Sequence, residues 1–310
     1  MSPFGNDPSK VWSFLASEEL RQQRKKVDWS GIQLNHLYYN YLVTGNPTQH
    51  YLSYFIEKYI PEPVIVLSLG CGNGHLERCL VDFALPYKCI VGTDLNLDLL
   101  KFASNEAKQK EENRTYYFLG DLNSLVLPKN KFGLVIFFHS LHHITNLERV
   151  MENVRQTLTS DGILLVVDFF GPTRFQWTDI QIELTQQLLD LLPFEMRKNL
   201  RDPYLVEHKN VITRPNMDDL VRADPSEAVR SAEIYILLKE KFNIIEEKPL
   251  GGTLLSLLFD GIAGNFDEKN PIICSLIKSL QKTEELLILN KVIPSDYLFL
   301  VLQIKDNIVA

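Results

Sequence analysis

The residues best suited to chemistry begin at a glycine run. Gly70, Gly72 and Gly74 form a G-x-G-x-G segment with Cys71 and Asn73 between them, directly after the apolar run Val64–Leu69. Glycines at such a junction permit unusual backbone angles and let a ligand approach the chain closely. The helix that must follow, from His75, offers unpaired N–H groups and the positive end of its dipole. A glycine turn without a ligand is the plainer alternative. Asp94 closes the next apolar run, CIVGT. Its carboxylate can accept from both hydroxyls of a ribose, and with Asn96 and Asp98 behind it the same residue also reads as a helix N-cap. Asp121 follows Gly120 at the end of TYYFL, where it can accept from an exocyclic amine while Leu122 packs on the ring. Alone, it reads as a turn residue. A dinucleotide fingerprint wants Gly or Ala three residues after its second glycine, and His75 stands there instead.

Positioning these residues requires strands that alternate with helices. The spacing predicts strands at Val64–Leu69, Cys89–Thr93, Thr115–Leu119, Phe132–Phe138 and Ile163–Phe169. Short apolar runs of this kind are strands buried on both faces. Helical periods fall at Tyr51–Tyr59, from His75, at Leu97–Gln109 and at Asn146–Leu158, the last ending at the turn signal Ser160-Asp161-Gly162. That alternation predicts βαβ units and a parallel sheet. Residues 173–240 break the rhythm with helical patterns and no strand. Phe242–Glu246 and Tyr297–Ile304 read as further strands, with helices opening at Gly251–Gly252 and over Pro271–Leu289. The domain reading is a helical cap over 1–62, an α/β core over 63–172, a helical lid over 173–240 and completion of the sheet by 241–310.

With those segments placed, the sequence resembles the class I S-adenosylmethionine-dependent methyltransferases. The resemblance rests on LSLGCGNG, GTDLN, GDLNSL, FGLVIFFHSLHHI and LTSDGILLVVDFF, in that order, and covers residues 63–170. It implies a Rossmann-like, mostly parallel seven-stranded sheet whose last strand is antiparallel, with a helical N-terminal cap and a helical insertion after the fifth strand. It further implies S-adenosylmethionine as cofactor. Gly70, Cys71, Gly72, Asn73 and Gly74 would lie against the donor's methionine part. Asp94, with Leu95, would hold the ribose, and Asp121 with Leu122 would frame the adenine. His139 would line the other side.

Methyl transfer asks little of a protein beyond alignment and exclusion of water. A base is needed only for an acceptor that must lose a proton. His139, His142 and His143 follow the fourth strand, and histidine titrates near working pH; bracing the loop is the alternative role for His142 and His143. The expected acceptor residues are Asp168, Arg174 and Trp177 after the fifth strand, Arg230 in the lid, and Tyr38 or Tyr39 from the cap. The tyrosines read equally as packing residues. Asp224-Pro225-Ser226-Glu227 reads as a helix N-cap with reciprocal capping. His75 and Glu77 lack a third ligand at metal-like spacing, so no metal is expected.

The expected function is transfer of a methyl group to a small organic acceptor, at oxygen. The alternatives are N- or C-methylation, a nicotinamide-dependent oxidoreductase on a similar fold, a non-catalytic partner, and aminopropyl transfer. Composition narrows the classes. The chain has 310 residues, 45% hydrophobic and 23% charged, with 32 Lys and Arg against 39 Asp and Glu, for a net charge of −7. No basic excess exists to neutralise a phosphate backbone, so no nucleic-acid partner is expected. Four cysteines, Cys71, Cys79, Cys89 and Cys274, lack the number for a disulfide scaffold and the paired short spacing of a zinc site. The first residues show no apolar stretch behind a basic start, and no run reaches the length of a membrane span. The expectation is a cytoplasmic protein without integral membrane contact. The sequence does not name the acceptor or the oligomeric state.

Overall fold

The long apolar runs assemble into a single sheet. In the computed structural model, which describes residues 26–201 and 207–305, seven strands lie in the order β3-β2-β1-β4-β5-β7-β6. They are β1 Val64–Leu69, β2 Tyr87–Asp94, β3 Thr115–Leu119, β4 Phe132–Phe138, β5 Leu158–Phe169, β6 Phe242–Gly251 and β7 Tyr297–Ile304. The first five pair in parallel. β7 runs antiparallel between β5 and β6, as Val166 opposite Leu300 and Ile244 opposite Leu302 show. The seven-stranded, mostly parallel fold expected from the sequence is therefore present. The part of the expected cap over residues 1–25, with Trp12 and Phe14, lies outside the described residues, as do 202–206 and 306–310.

Side chains alternate across a strand, so a strand apolar at every position feeds two cores. On one face Leu67, Val135, Phe137, Val166 and Leu300 meet Leu147, Val150, Met151 and Val154. On the other, Val66, Leu134, Ile136, Val167 and Phe299 meet Leu52, Phe55, Ile56, Leu76 and Leu80. The helices supplying these stripes are α1 Gln33–Thr44, α2 Tyr51–Tyr59, α3 His75–Asp82 and α5 Leu147–Thr157, while α4 Leu97–Gln109 packs on β3 and β2. A third cluster, including Leu189, Ile212, Leu258, Phe259 and Ile277, joins the lid to the C-terminal helices. Its helices are α6 Asp179–Leu191, α9 Leu255–Phe259 and α10 Pro271–Leu289; of the other two lid helices, α7 Met217–Ala223 and α8 Ser231–Lys241, the second adds Ile234 and Leu238 to the first face. Among the described residues, no helix is long and apolar enough to cross a membrane.

Three departures from the sequence reading stand out. Ser160-Asp161-Gly162 does not end an element: β5 begins at Leu158, and the register against β4 shifts between Leu158 and Ile163, so the turn residues form a bulge inside the strand. β6 runs on through Pro249 to Gly251, because an edge strand tolerates a proline that a central strand would not. Asp224 does not cap a helix at Pro225, since α8 starts only at Ser231. Its carboxylate instead accepts from the N–H and hydroxyl of Ser226, at 2.8 and 2.6 Å.

Candidate active site

β1 has β2 on one side and β4 on the other, so the chain leaves its C-terminal edge in opposite directions on either side of it. Crevices open at such switch points. The glycine loop turns there with φ of +72° at Gly70, +54° at Gly72 and +74° at Gly74, values that side chains disfavour. The N–H groups of Gly70 and Cys71 both donate to the Thr93 carbonyl, at 2.8 and 3.0 Å, which lashes the loop to the end of β2. A Cβ on Gly70 would fall 2.5 Å from the Ser140 Cβ, whereas one on Gly72 would meet nothing within 4 Å. Gly70 therefore serves close packing, and Gly72 leaves an open cradle. Gly74 faces away from the crevice, against Tyr117 and Ala103.

Asp94 is tied into this loop. Its Oδ2 accepts the Gly72 N–H and its Oδ1 the Asn96 N–H, both at 2.8 Å. Burial pushes its pKa up, and those two N–H groups pull against the shift. Asp121 accepts the Asn123 N–H at 2.9 Å, so it does hold a turn, and it also lines the crevice. Asn123 was not singled out from the sequence, where a lone Asn after a strand carries no signal. Its Oδ1 accepts from the Thr145 N–H and hydroxyl and the Asn146 N–H, at 3.0, 2.8 and 2.9 Å, joining the loops after β3 and β4. The crevice encloses about 470 Å³. Cys71, Asn73, Leu95, Leu122, His139 and His143 also line it, together with Pro225 and Ser226 from the lid.

The three candidate histidines part company. His139 sits at φ +52° with its side chain open to the crevice, its ring edge-on to Phe138 and to Tyr297 at 4.7 and 5.9 Å. The surrounding protein lowers its pKa, so it stays neutral. His142 turns inward. Its Nδ1 meets Asp168 and its Nε2 lies 3.4 Å from Glu227. Burial opposes the charge, but the two carboxylates outweigh it and raise its pKa to about 10. With both ring nitrogens engaged by carboxylates, His142 braces the loop. His143 lines the crevice beside Ser226, 3.1 Å away, and burial with the neighbouring His142 charge lowers it to about 4. His142, His143 and Glu227 could present ligand atoms to a metal, all within 4.8 Å of one another, a grouping that the spacing in the sequence does not reveal.

Several expected acceptor residues turn out to be structural. Asp168 is fully buried, and its oxygens accept from the N–H groups of Ser140, Leu141 and Phe169 at 2.9, 2.7 and 2.7 Å. Burial would raise its pKa, but His142 overrides that and holds it at about 2. The Arg174 guanidinium donates to the carbonyls of Glu227 and Pro225, both at 2.8 Å, and pins the lid loop. Arg230 bridges Glu148 and Glu233 and donates to the Thr145 carbonyl. The Tyr38 hydroxyl donates to Glu285 on α10, and the Tyr39 ring packs edge-on to Trp29 at 5.7 Å, so neither lines the crevice. Trp177 lines a neighbouring cavity instead.

A profile described as a methyltransferase domain matches residues 67–166, the stretch that carries the glycine loop, both strand-tip aspartates and the histidines. This stretch is a methyltransferase domain of the class I S-adenosylmethionine-dependent kind. An uncharacterised methyltransferase of Bacillus subtilis, YcgJ, is 27% identical over 107 residues, 34% of this chain and 41% of that one. The human mitochondrial arginine-hydroxylase NDUFAF5 is 28% identical over 158 residues, 50% of this chain and 42% of that one. The chain thus spans less than half the length of these curated relatives. A solved phosphoethanolamine N-methyltransferase 2 of Haemonchus contortus shares the fold, with a TM-score of 0.51 at 12% identity over 96% of this chain and 60% of that one. In this domain the open cradle at Gly72 and the carboxylates of Asp94 and Asp121 line one crevice, and S-adenosylmethionine is the cofactor of such domains. A nicotinamide-dependent oxidoreductase is not favoured.

Proposed function

We propose that this chain transfers a methyl group from S-adenosylmethionine to a small organic acceptor, and that oxygen is the atom methylated. The observation that carries the reading is the meeting, in one crevice, of an unobstructed glycine cradle with acceptors at the tips of adjacent strands. When bound, the donor supplies a sulfonium whose methyl is already electrophilic. The chain has to hold, orient and deprotonate. Gly70, Cys71, Gly72 and Asn73 offer close backbone approach; Asp94 suits ribose hydroxyls; Asp121 suits the adenine amine, with Leu95 and Leu122 as apolar walls. Gly74 supports the loop from behind. Of the histidines, His139 is the base in this reading: it is neutral, open to the crevice and beyond β4. His143 is neutral too but lies against Ser226.

The division of labour follows the proposed domains. The 63–172 core takes the donor, while the 1–62 cap and the 173–240 lid close over the acceptor, and 241–310 completes the sheet. We place the chain in the cytoplasm with a small molecule as its partner. Titrating the protein with S-adenosylhomocysteine and with NADH, while following the melting temperature, tests the donor assignment. Stabilisation by the first alone is expected; stabilisation by NADH alone would sink it. The name and longer match of the mitochondrial relative make hydroxylation the second reading. Mass spectrometry separates the two, because the acceptor gains one methylene or one oxygen.

A further inference from the structure

A second cavity of about 460 Å³ lies between the start of β7, the turn at Thr173–Phe175 and the lid segment that includes Thr213. Its size falls within the usual range for small-molecule sites. Five of its lining residues are aromatic. Phe175 and Trp177 stack with centroids 5.3 Å apart and planes 11° apart. Tyr297 contacts both Trp29 and Phe169 at 5.3 Å. These rings are held in place from behind. The Trp177 indole N–H donates to the buried Asp296 at 3.0 Å, and the Gln181 amide donates to the same carboxylate at 3.3 Å. Gly252 lets Trp29 and Tyr297 meet, since a Cβ there would fall 2.8 and 2.5 Å from them.

The charged residues at the rim are already engaged. Arg201 pairs with Asp260. The Lys209 ammonium donates to the Leu258 and Asp260 carbonyls at 3.3 and 2.7 Å, and Asp28 accepts the Ser30 N–H at 2.8 Å. The two cations and two anions cancel, so a charged ligand gains no net counter-charge. The Tyr297 ring lies 5.9 Å from that of His139, which faces the donor crevice, so the two rings stand side by side where the cavities adjoin.

Building on the methyl-transfer reading, we propose that this cavity is the acceptor site and takes a flat, uncharged aromatic compound bearing a hydroxyl. Stacked rings favour a flat ligand over a branched one. In the reaction the acceptor oxygen bonds to the methyl carbon and the carbon–sulfur bond breaks, its electron pair going to sulfur. The hydroxyl proton passes to the neutral His139 imidazole, leaving S-adenosylhomocysteine and the methyl ether.

The test uses the full chain saturated with S-adenosylhomocysteine and 2-naphthol as probe. Two of the three tryptophans, Trp29 and Trp177, line the cavity, so indole fluorescence reports binding. We expect saturable quenching, with affinity at least tenfold weaker in Thr213→Phe, which fills the space. Should that variant fail to fold, Phe175→Ala, which removes a wall, should show the same loss. S-adenosylhomocysteine affinity stays unchanged in both. Absence of saturable naphthol binding, or equal affinity in the folded variants, overturns the acceptor site. Displacement of naphthol by tetramethylammonium overturns the uncharged class. Failure of the unmutated protein to bind S-adenosylhomocysteine strikes the methyl-transfer reading, and the naphthol titration without it still decides the cavity.

Discussion

The carboxylate of Asp94 reaches back 2.8 Å to the N–H of Gly72, so the tip of β2 sets the shape of the loop after β1. One residue thereby does two jobs in the proposed site, preparing the cradle and presenting acceptors to a ribose. Asp94→Ala removes both. We expect S-adenosylhomocysteine affinity to fall ten- to a hundredfold, about 1.4–2.7 kcal/mol, in line with the loss of charge-assisted hydrogen bonds. Isothermal calorimetry measures it, and unchanged affinity would remove Asp94 from the donor site.

Gly70 and Gly72 both adopt positive φ, yet their alanine variants should fail differently. At Gly70 the new Cβ would strike Ser140 at 2.5 Å, so Gly70→Ala should lower the melting temperature sharply. At Gly72 the new Cβ meets no protein atom, leaving only backbone strain of about 1 kcal/mol. Gly72→Ala should therefore fold while losing at least tenfold in S-adenosylhomocysteine affinity. Equal effects on folding and binding in the two variants would contradict an open cradle at Gly72.

What the sequence made legible depended on how local each signal was. β1, β3, β4, β7, α4 and α10 have the bounds expected from apolar runs and helical spacing, because those patterns lie within one element. The start of β5 was hidden, since a bulge and a turn use the same Ser-Asp-Gly vocabulary. Side-chain roles were harder. Arg230 meets Glu148 and Asp168 meets His142 across long sequence separations, and nothing local shows that their charges are already engaged. The aromatic cavity gathers residues from Trp29 to Tyr297, so no single stretch could have announced it.

The buried pair of His142 and Asp168 predicts a pH profile of stability. The folded pKa of His142 is raised to about 10, so its contribution is full below the ordinary histidine value near 6.5 and is lost as pH rises through about 10. Asp168 is held at about 2, so its contribution is full above about 3.8 and is lost as pH falls through about 2. These are two views of one interaction and do not add. His143, lowered to about 4, acts oppositely to His142, costing stability as pH falls from 6.5 towards 4. His142→Gln should flatten the decline in melting temperature between pH 7 and 10 and lower the whole curve. An unchanged alkaline limb would show that His142 carries no charge in the fold.

His139 separates chemistry from binding. It holds an uncommon positive φ, its N–H donates to the Val167 carbonyl at 2.8 Å, and its ring faces the crevice from beyond β4. Replacing it with glutamine keeps a polar side chain of similar reach but removes the basic nitrogen. For an acceptor that must lose a proton, kcat should fall about a hundredfold or more, as general-base contributions usually require. S-adenosylhomocysteine affinity should change less than fivefold, because the cradle and both strand-tip carboxylates remain. The unmutated protein should lose activity on the acid side, where the imidazole becomes protonated below its lowered pKa, and His139→Gln should lose that limb. His143→Gln should keep it. If the acid limb persists in His139→Gln and disappears in His143→Gln, the base is His143, and the His139–Tyr297 junction plays no part in proton transfer.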